Sequence, residues 1–188
     1  MDLVEQVHAN DEPGKIIFCS HPPIITLGRA TQEGDITDWQ GAKLEVSRGG
    51  RVTYHGPSQL IIYPIINLKY GNEHRAAKDI HAFLRLFEKC ITESLATLGL
   101  EAHGKTGEHD TGIWVGDKKI ASIGIAVRHW VTYHGAAINI DIDPTAFQGI
   151  KPCGMNPNTM SSLQEVLEKK IDRNDLSTTL ETNLKKLL

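Results

Sequence analysis

Arg48-Gly49-Gly50-Arg51-Val52-Thr53-Tyr54-His55-Gly56-Pro57-Ser58-Gln59 joins a glycine-rich loop to the apolar run Gln59-Leu60-Ile61-Ile62-Tyr63-Pro64-Ile65-Ile66-Asn67-Leu68. Gly49 and Gly50 let the backbone bend and approach a ligand closely. Gly56-Pro57 closes the loop, and the apolar run has the length and composition of a buried strand. A turn that only links two strands does not require Arg, Thr, Tyr, His and Gln together, so the loop is a candidate binding element as well as a connection. Upstream, Lys43 to Arg48 reads as a short strand that delivers the loop, and Lys15 to Ser20 as another strand. Between them the paired prolines of His21-Pro22-Pro23 exclude helix, and Gly28 permits a turn.

Working outward, Asp2 to His8 reads as helix, followed by a turn over Asn10 to Gly14. Between Ala76 and Leu98, apolar residues recur at the helical period through Ile80, Phe83, Leu84, Phe87, Ile91 and Leu95, and Gly99 is a stop signal. From Gly112 the pattern becomes strand-like: Gly112 to Val115, a turn at Gly116-Asp117, Lys118 to Arg128, a bend at His129-Trp130, then Val131 to Ile142. Two terminal helices are expected over Met160–Lys169 and Leu176–Leu188, the first carrying the capping-box spacing Ser162-x-x-Glu165. These elements predict an α+β fold in one domain spanning residues 1–188, with a mixed, largely antiparallel sheet flanked by helices.

A chain of 188 residues suffices for one full core. Its net charge of −3 gives no overall signature of nucleic-acid binding. No apolar run reaches membrane-spanning length and the start is too polar for a secretory signal, so a cytoplasmic protein without membrane or nucleic-acid partners is expected. The three cysteines lack metal-ligand spacing and the nine histidines are scattered, so no metal is expected. Cys19 and Cys90 fall in apolar settings that predict small core residues. Cys153, in Lys151-Pro152-Cys153-Gly154, sits instead in a breaker-rich turn with little to pack against.

A nucleophilic enzyme needs a thiol on an exposed turn, a base that ionises it, and backbone N–H groups free to meet an oxyanion. Cys153 supplies the sulfur. Lys119, on a strand within Lys118-Lys119-Ile120-Ala121-Ser122-Ile123-Gly124, becomes a usable base if partly desolvated, and is otherwise an ordinary hairpin charge. Lys118 should point to the opposite face by strand alternation. Gly49, Gly50, Gly124 and Gly135 allow a linear chain to lie against backbone. His134 and Gln59 are possible supporting residues, His134 reading equally as a core histidine. From residue chemistry alone, a thiol enzyme and a small-molecule binder both remain open.

From Ile16 to Gln164 the chain resembles the octanoyl acyl-carrier-protein:protein N-octanoyltransferases, the lipoate-protein ligase B family. The resemblance is carried by His21-Pro22-Pro23 with Thr26-Leu27-Gly28-Arg29, by Arg48 to His55 with Gln59 and Tyr63-Pro64, by Gly112-Ile113-Trp114-Val115, by Lys119 to Gly124, by His134-Gly135 with Asn139, and by Pro152-Cys153-Gly154. It implies the biotin/lipoate-protein-ligase-like fold, with Cys153 as acyl-thioester nucleophile and Lys119 ionising the thiol and shuttling its proton. It further implies an acyl pocket lined by Arg48, Gly49, Gly50, Arg51, Val52, Thr53, Tyr54 and His55, by Ser122, Ile123 and Gly124, and by Gly135, Ala136 and Ala137. The implied donor is octanoyl acyl carrier protein, which carries its own phosphopantetheine, so no cofactor is expected. The implied acceptors are lipoyl domains of 2-oxoacid dehydrogenase complexes and the glycine cleavage H protein. The chain departs from the family in Ser20, where a Glu is usual, and in starting within the first helix, so that an N-terminal edge strand and part of that helix are expected to be absent. The rival expectations are an adenylating lipoate or biotin ligase on the same fold and a non-catalytic acyl-binding module.

Overall fold

A computed structural model describes residues 2–105, 111–141, 143 and 145–188. In chain order it has α1 (Asp2–Ala9), β1 (Gly14–Cys19), β2 (Ile24–Leu27), β3 (Ala42–Glu45), β4 (Val52–His55), β5 (Gln59–Ile66), α2 (Ile80–Ala96), β6 (His103–Lys105), β7 (Gly112–Val115), β8 (Lys118–Arg128), β9 (Val131–Asn139), α3 (Leu163–Leu167) and α4 (Arg173–Leu184). Six strands form one sheet in the order β1-β5-β9-β8-β7-β6, every neighbouring pair antiparallel. The expected meander is its β7-β8-β9 portion. His129 and Trp130 both take positive φ, 53° and 63°, which matches the turn of a two-residue hairpin to the twist of its strands. A second, three-stranded sheet has the order β3-β2-β4, with β2 parallel to β3 and antiparallel to β4.

Alternation along β5 separates two packing faces. Leu60, Ile62 and Ile66 join the main core with Phe83, Phe87 and Ile91 of α2 and Leu176, Leu180 and Leu184 of α4. Ile65, with Tyr63 against it, packs with Val4 and Val7 of α1. The small sheet has a core of its own, where Ile25, Val52 and Tyr54 meet Phe147, Ile150 and Met160.

Side-chain caps decide where the helices differ from the periodic pattern. Asp79 accepts a hydrogen bond from Ala82 N–H at 2.8 Å, so α2 starts at Ile80 and not at Ala76. The Ser162/Glu165 capping box forms, but Glu168 at φ 52° stops α3 after Leu167. Asp172 caps α4, so the helix starts at Arg173, three residues before the expected start at Leu176. Strands β2 and β6 were not expected, and Val52–His55, expected as loop, is strand β4. Pairing with β2, Thr26 opposite Thr53, supplies the ladder that the local sequence does not announce. β3 ends at Glu45, short of Arg48, and β9 at Asn139; the expected end at Ile142 lies outside the described residues.

Candidate active site

Arg48 organises the glycine-rich loop. Its buried guanidinium donates from Nη2 to Thr26 O and Oγ1, both at 2.8 Å, and from Nη1 to Gly49 O at 2.9 Å and Arg51 O at 2.8 Å. Burial pulls this group below its ordinary pKa, and among the described residues no carboxylate forms an ion pair with it. The loop then crosses to the large sheet, where Gly49 N–H donates to Ile125 O of β8 at 3.1 Å. Arg51 instead pairs with Asp35, donating from Nε at 3.0 Å and from Nη2. Burial of Asp35 opposes its ionisation, yet the hydrogen bonds from Arg51 and from Gln32 N–H outweigh it and hold the carboxyl below its ordinary value.

Cys153 lies in a 3-10 turn, Pro152–Gly154, with φ 54° and ψ 23°, a left-handed conformation uncommon outside glycine. Gly154 continues it at φ 81° and faces Arg51. The turn is anchored upstream by Lys151 N–H to Asp35 O at 2.8 Å, and by the Ile36–Ile150 bridge. Downstream, Ser161 N–H donates to Lys119 O at 3.0 Å. Lys119 is fully buried and its Nζ lies 3.5 Å from Cys153 Sγ. Lys118 is exposed, as alternation predicts, and its Nζ donates to Asn158 O at 2.8 Å. β8 therefore holds the Cys153 segment at three points. Gly112 makes room for the amine, because a Cβ there would sit 2.6 Å from Lys119 Cε and collide with Ala121 O.

A cavity of about 360 Å³ extends from Cys153 between the two sheets. Of the residues expected to line it, Arg48, Gly49, Gly50, Arg51, Thr53, His55, Ser122, Ile123, Gly124, Gly135, Ala136 and Ala137 do, and so does His134. Val52 and Tyr54 do not. They alternate onto the other face of β4, where Tyr54 makes edge contacts with Trp39 and Phe147. Gln59 stands outside the lining as well. Its amide donates to Asn139 Oδ1 at 2.8 Å, and Asn139 donates to Ser161 O at 2.8 Å, a buried relay that ends on the residue bonded to the Lys119 carbonyl. Ile61 and Tyr63 of the apolar strand after Gln59 line it too, whereas the sequence does not assign His21, Thr26, Leu44, Val46 and Leu84 to the wall, which reaches them through tertiary contact. Thr53 Oγ1 and Ser122 Oγ are buried without a hydrogen-bond partner. Cys19 is half-buried beside His21 and Cys90 is in the core; burial raises both thiols, Cys90 to about 11.

Two wall histidines are held neutral. Burial, then the Arg48 charge, lowers His55 to about 3 and His134 to about 4. Unfolded histidine takes up its proton near pH 6.5, so below that pH the unfolded chain binds more protons than the folded one. Stability is therefore expected to fall as pH drops from about 6.5 towards 4. Urea midpoints measured across that range should decline, and decline less in His55→Gln. Midpoints independent of pH above 4.5 in the wild type would contradict neutral burial.

The model of the lipoyl protein ligase A/B catalytic domain matches residues 2–185. The chain belongs to this family. It is 45% identical to an octanoyltransferase of Bdellovibrio bacteriovorus, over all of this chain and 90% of that protein. It is 40% identical to one of Citrifermentans bemidjiense, over 86% of this chain and 75% of that one. Among solved structures, lipoate-protein ligase A bound with ATP superposes with a TM-score of 0.74 at 18% identity, covering 98% of this chain and 78% of that one. The putative lipoate protein ligase Ta0514 from T. acidophilum with bound lipoic acid gives 0.74 at 18% identity, covering 99% and 79%. These structures establish the lipoate/biotin-ligase fold for the α+β arrangement described above.

Proposed function

We propose that this chain is an octanoyltransferase that works through a Cys153 thioester. The observation that carries the reading is the buried Lys119 amine 3.5 Å from the Cys153 thiol, at a cavity walled largely by Ile61, Ile123, Ile125, Ala136 and Ala137. The two sequence relatives named above, both octanoyltransferases, support it. A buried ammonium is costly unless an anion balances it, and among the described residues the only such partner beside Lys119 is the thiolate that forms when it takes the Cys153 proton.

In the first step the thiolate attacks the carbonyl carbon of an octanoyl thioester. The sulfur of the donor's phosphopantetheine arm leaves and takes the proton from Lys119. In the second, the ε-amine of a lipoyl-domain lysine attacks the new thioester, an amide forms, and the Cys153 thiolate is released as Lys119 accepts the amine's surplus proton. The Thr53 and Ser122 hydroxyls are available to polar atoms of the acyl donor. Acyl carrier protein is the donor, and lipoyl domains of 2-oxoacid dehydrogenase complexes and the glycine cleavage H protein are the acceptors, in the cytoplasm. Because the donor is already a thioester, the reaction draws on no nucleotide, metal or other cofactor, in contrast to an adenylating ligase.

Intact-mass measurement after incubation with octanoyl acyl carrier protein, without ATP, should show one octanoyl adduct that a lipoyl domain then discharges. A strict ATP requirement would favour the ligase, and binding without an adduct would favour a non-catalytic acyl-binding module. Each methylene buried in the wall contributes about 0.8 kcal/mol, so a hexanoyl donor should acylate roughly tenfold less efficiently than octanoyl at limiting concentration. Equal efficiencies of acetyl and octanoyl donors would contradict a closed acyl cavity.

A further inference from the structure

The acyl cavity ends at a wall that it shares with a second, shallower groove. Val46, Tyr63 and His134 line both. The groove, about 520 Å³, runs between Leu3 and Val4 of α1 and the apolar Ile17 and Ile65 of β1 and β5. The wall stands where the sheet itself is open. Pairing of β5 with β9 lapses after Ile62–Ala136 and resumes at the Asn67–Val131 bridge, because Pro64 has no N–H to donate. Thr132 Oγ1 fills part of the gap, donating to Pro64 O and accepting from Ile66 N–H. Side chains, not backbone ladder, close the end of the cavity.

The wall is held on both sides. Tyr63 Oη lies 2.7 Å from His21 Nε2. His134 takes φ 60° while its backbone stays in register with Ile125, and its Nε2 is 3.5 Å from Ser47 Oγ. The following Gly135 is packed so tightly that a Cβ would collide with Ile62 O, which leaves this stretch of β9 little room to shift.

The register of β8 gives a scale for the distance from thiol to wall. Lys119 Cε lies against Gly112, and Gly112 pairs with Ser122, so the reacting sulfur sits within a side chain's reach of the Ser122 level of β8. His134 pairs with Ile125, three residues along, which is about 10 Å at the rise of an extended strand. A polypeptide advances about 3.3–3.6 Å for every three backbone bonds, so the carbon–carbon bonds of an extended octanoyl chain span about 8 Å. An extended eight-carbon chain is thus close in length to the Ser122–Ile125 interval of β8, and a twelve-carbon chain exceeds it.

We propose that Tyr63 and His134 are the length gauge of the acyl site, stopping the methyl end of the chain and denying it the groove beside α1. This rests on the transferase function proposed above. Opening the wall connects the groove and lets longer acyl chains through.

The test loads the full chain with an equimolar mixture of octanoyl and dodecanoyl acyl carrier protein and reads the two adducts by intact mass. The wild type is expected to favour octanoyl at least tenfold. His134→Ala and, independently, Tyr63→Leu should each lower that preference at least tenfold, and Leu3→Trp, which fills the groove, should restore it in the His134→Ala background. An unchanged preference in both single variants overturns the gauge, as does a wild type that takes dodecanoyl as readily as octanoyl, or a Leu3→Trp change that leaves the relaxed preference relaxed. Failure of the wild type to form any octanoyl adduct overturns the transferase function and the gauge together, whereas an adduct with unaltered preference overturns the gauge alone.

Discussion

Cys153→Ala is expected to remain folded, form no acyl-enzyme and lose transfer completely, while Cys19→Ala and Cys90→Ala continue to acylate. Of the three thiols, only Cys153 lines the cavity, and only Cys153 lies within hydrogen-bonding distance of a lysine amine. Burial raises Cys19 and Cys90, Cys90 to about 11, so both stay as thiols, and the thiol is not the nucleophilic form. The alanine keeps the anchors of the turn, Lys151 to Asp35 and Ser161 to Lys119, since these run through backbone atoms. Intact mass and far-ultraviolet circular dichroism on the three variants separate lost chemistry from lost fold. An octanoyl adduct mapped to Cys90 would sink the assignment.

Lys119→Met should slow acyl-enzyme formation by about two to four orders of magnitude near pH 7, the range in which a positioned acid–base group contributes. Raising the pH should return part of the rate, because an ordinary thiol ionises by itself at about pH 8.5. Lys119→Arg retains a cation but cannot take a proton, so it should stay slow if the amine acts as base and recover if only its charge matters. Lys118→Met should do neither, since that side chain faces solvent and holds Asn158 O. The check is the rate of Cys153 alkylation by iodoacetamide as a function of pH. Superimposable profiles for wild type and Lys119→Met would mean that another group ionises the thiol.

Much of this site was legible because a few residues announce their surroundings. The breakers around Cys153 predict a turn without apolar packing, and the Lys118-Lys119 pair on a strand predicts that one lysine is buried and the other exposed, as found. The meander followed from alternation and turn residues alone. What stayed hidden depends on contacts across the chain. β2 follows two prolines and is only four residues long, and β4 has β-prone residues but lies in a glycine-rich setting, so neither stands out until each pairs with the other. Val52 and Tyr54 were placed in the wall by the family resemblance, which carries residues 48–55 over as one block; once they form a strand, alternation assigns Arg51, Thr53 and His55 to the cavity and the two others to the small core. Tyr63 and His21 meet over 42 positions of sequence, and no local pattern encodes that meeting.

The carbonyl of Lys119 holds Ser161, and its amine faces the sulfur of Cys153. The proposed nucleophile and its proposed proton acceptor are therefore positioned by a single residue. Through the chain, sulfur and nitrogen are joined by the short arc from Cys153 to Ser161 and the hydrogen bond that returns it to Lys119. A substitution that shifts the small sheet while sparing this arc should leave the spacing of thiol and amine in place.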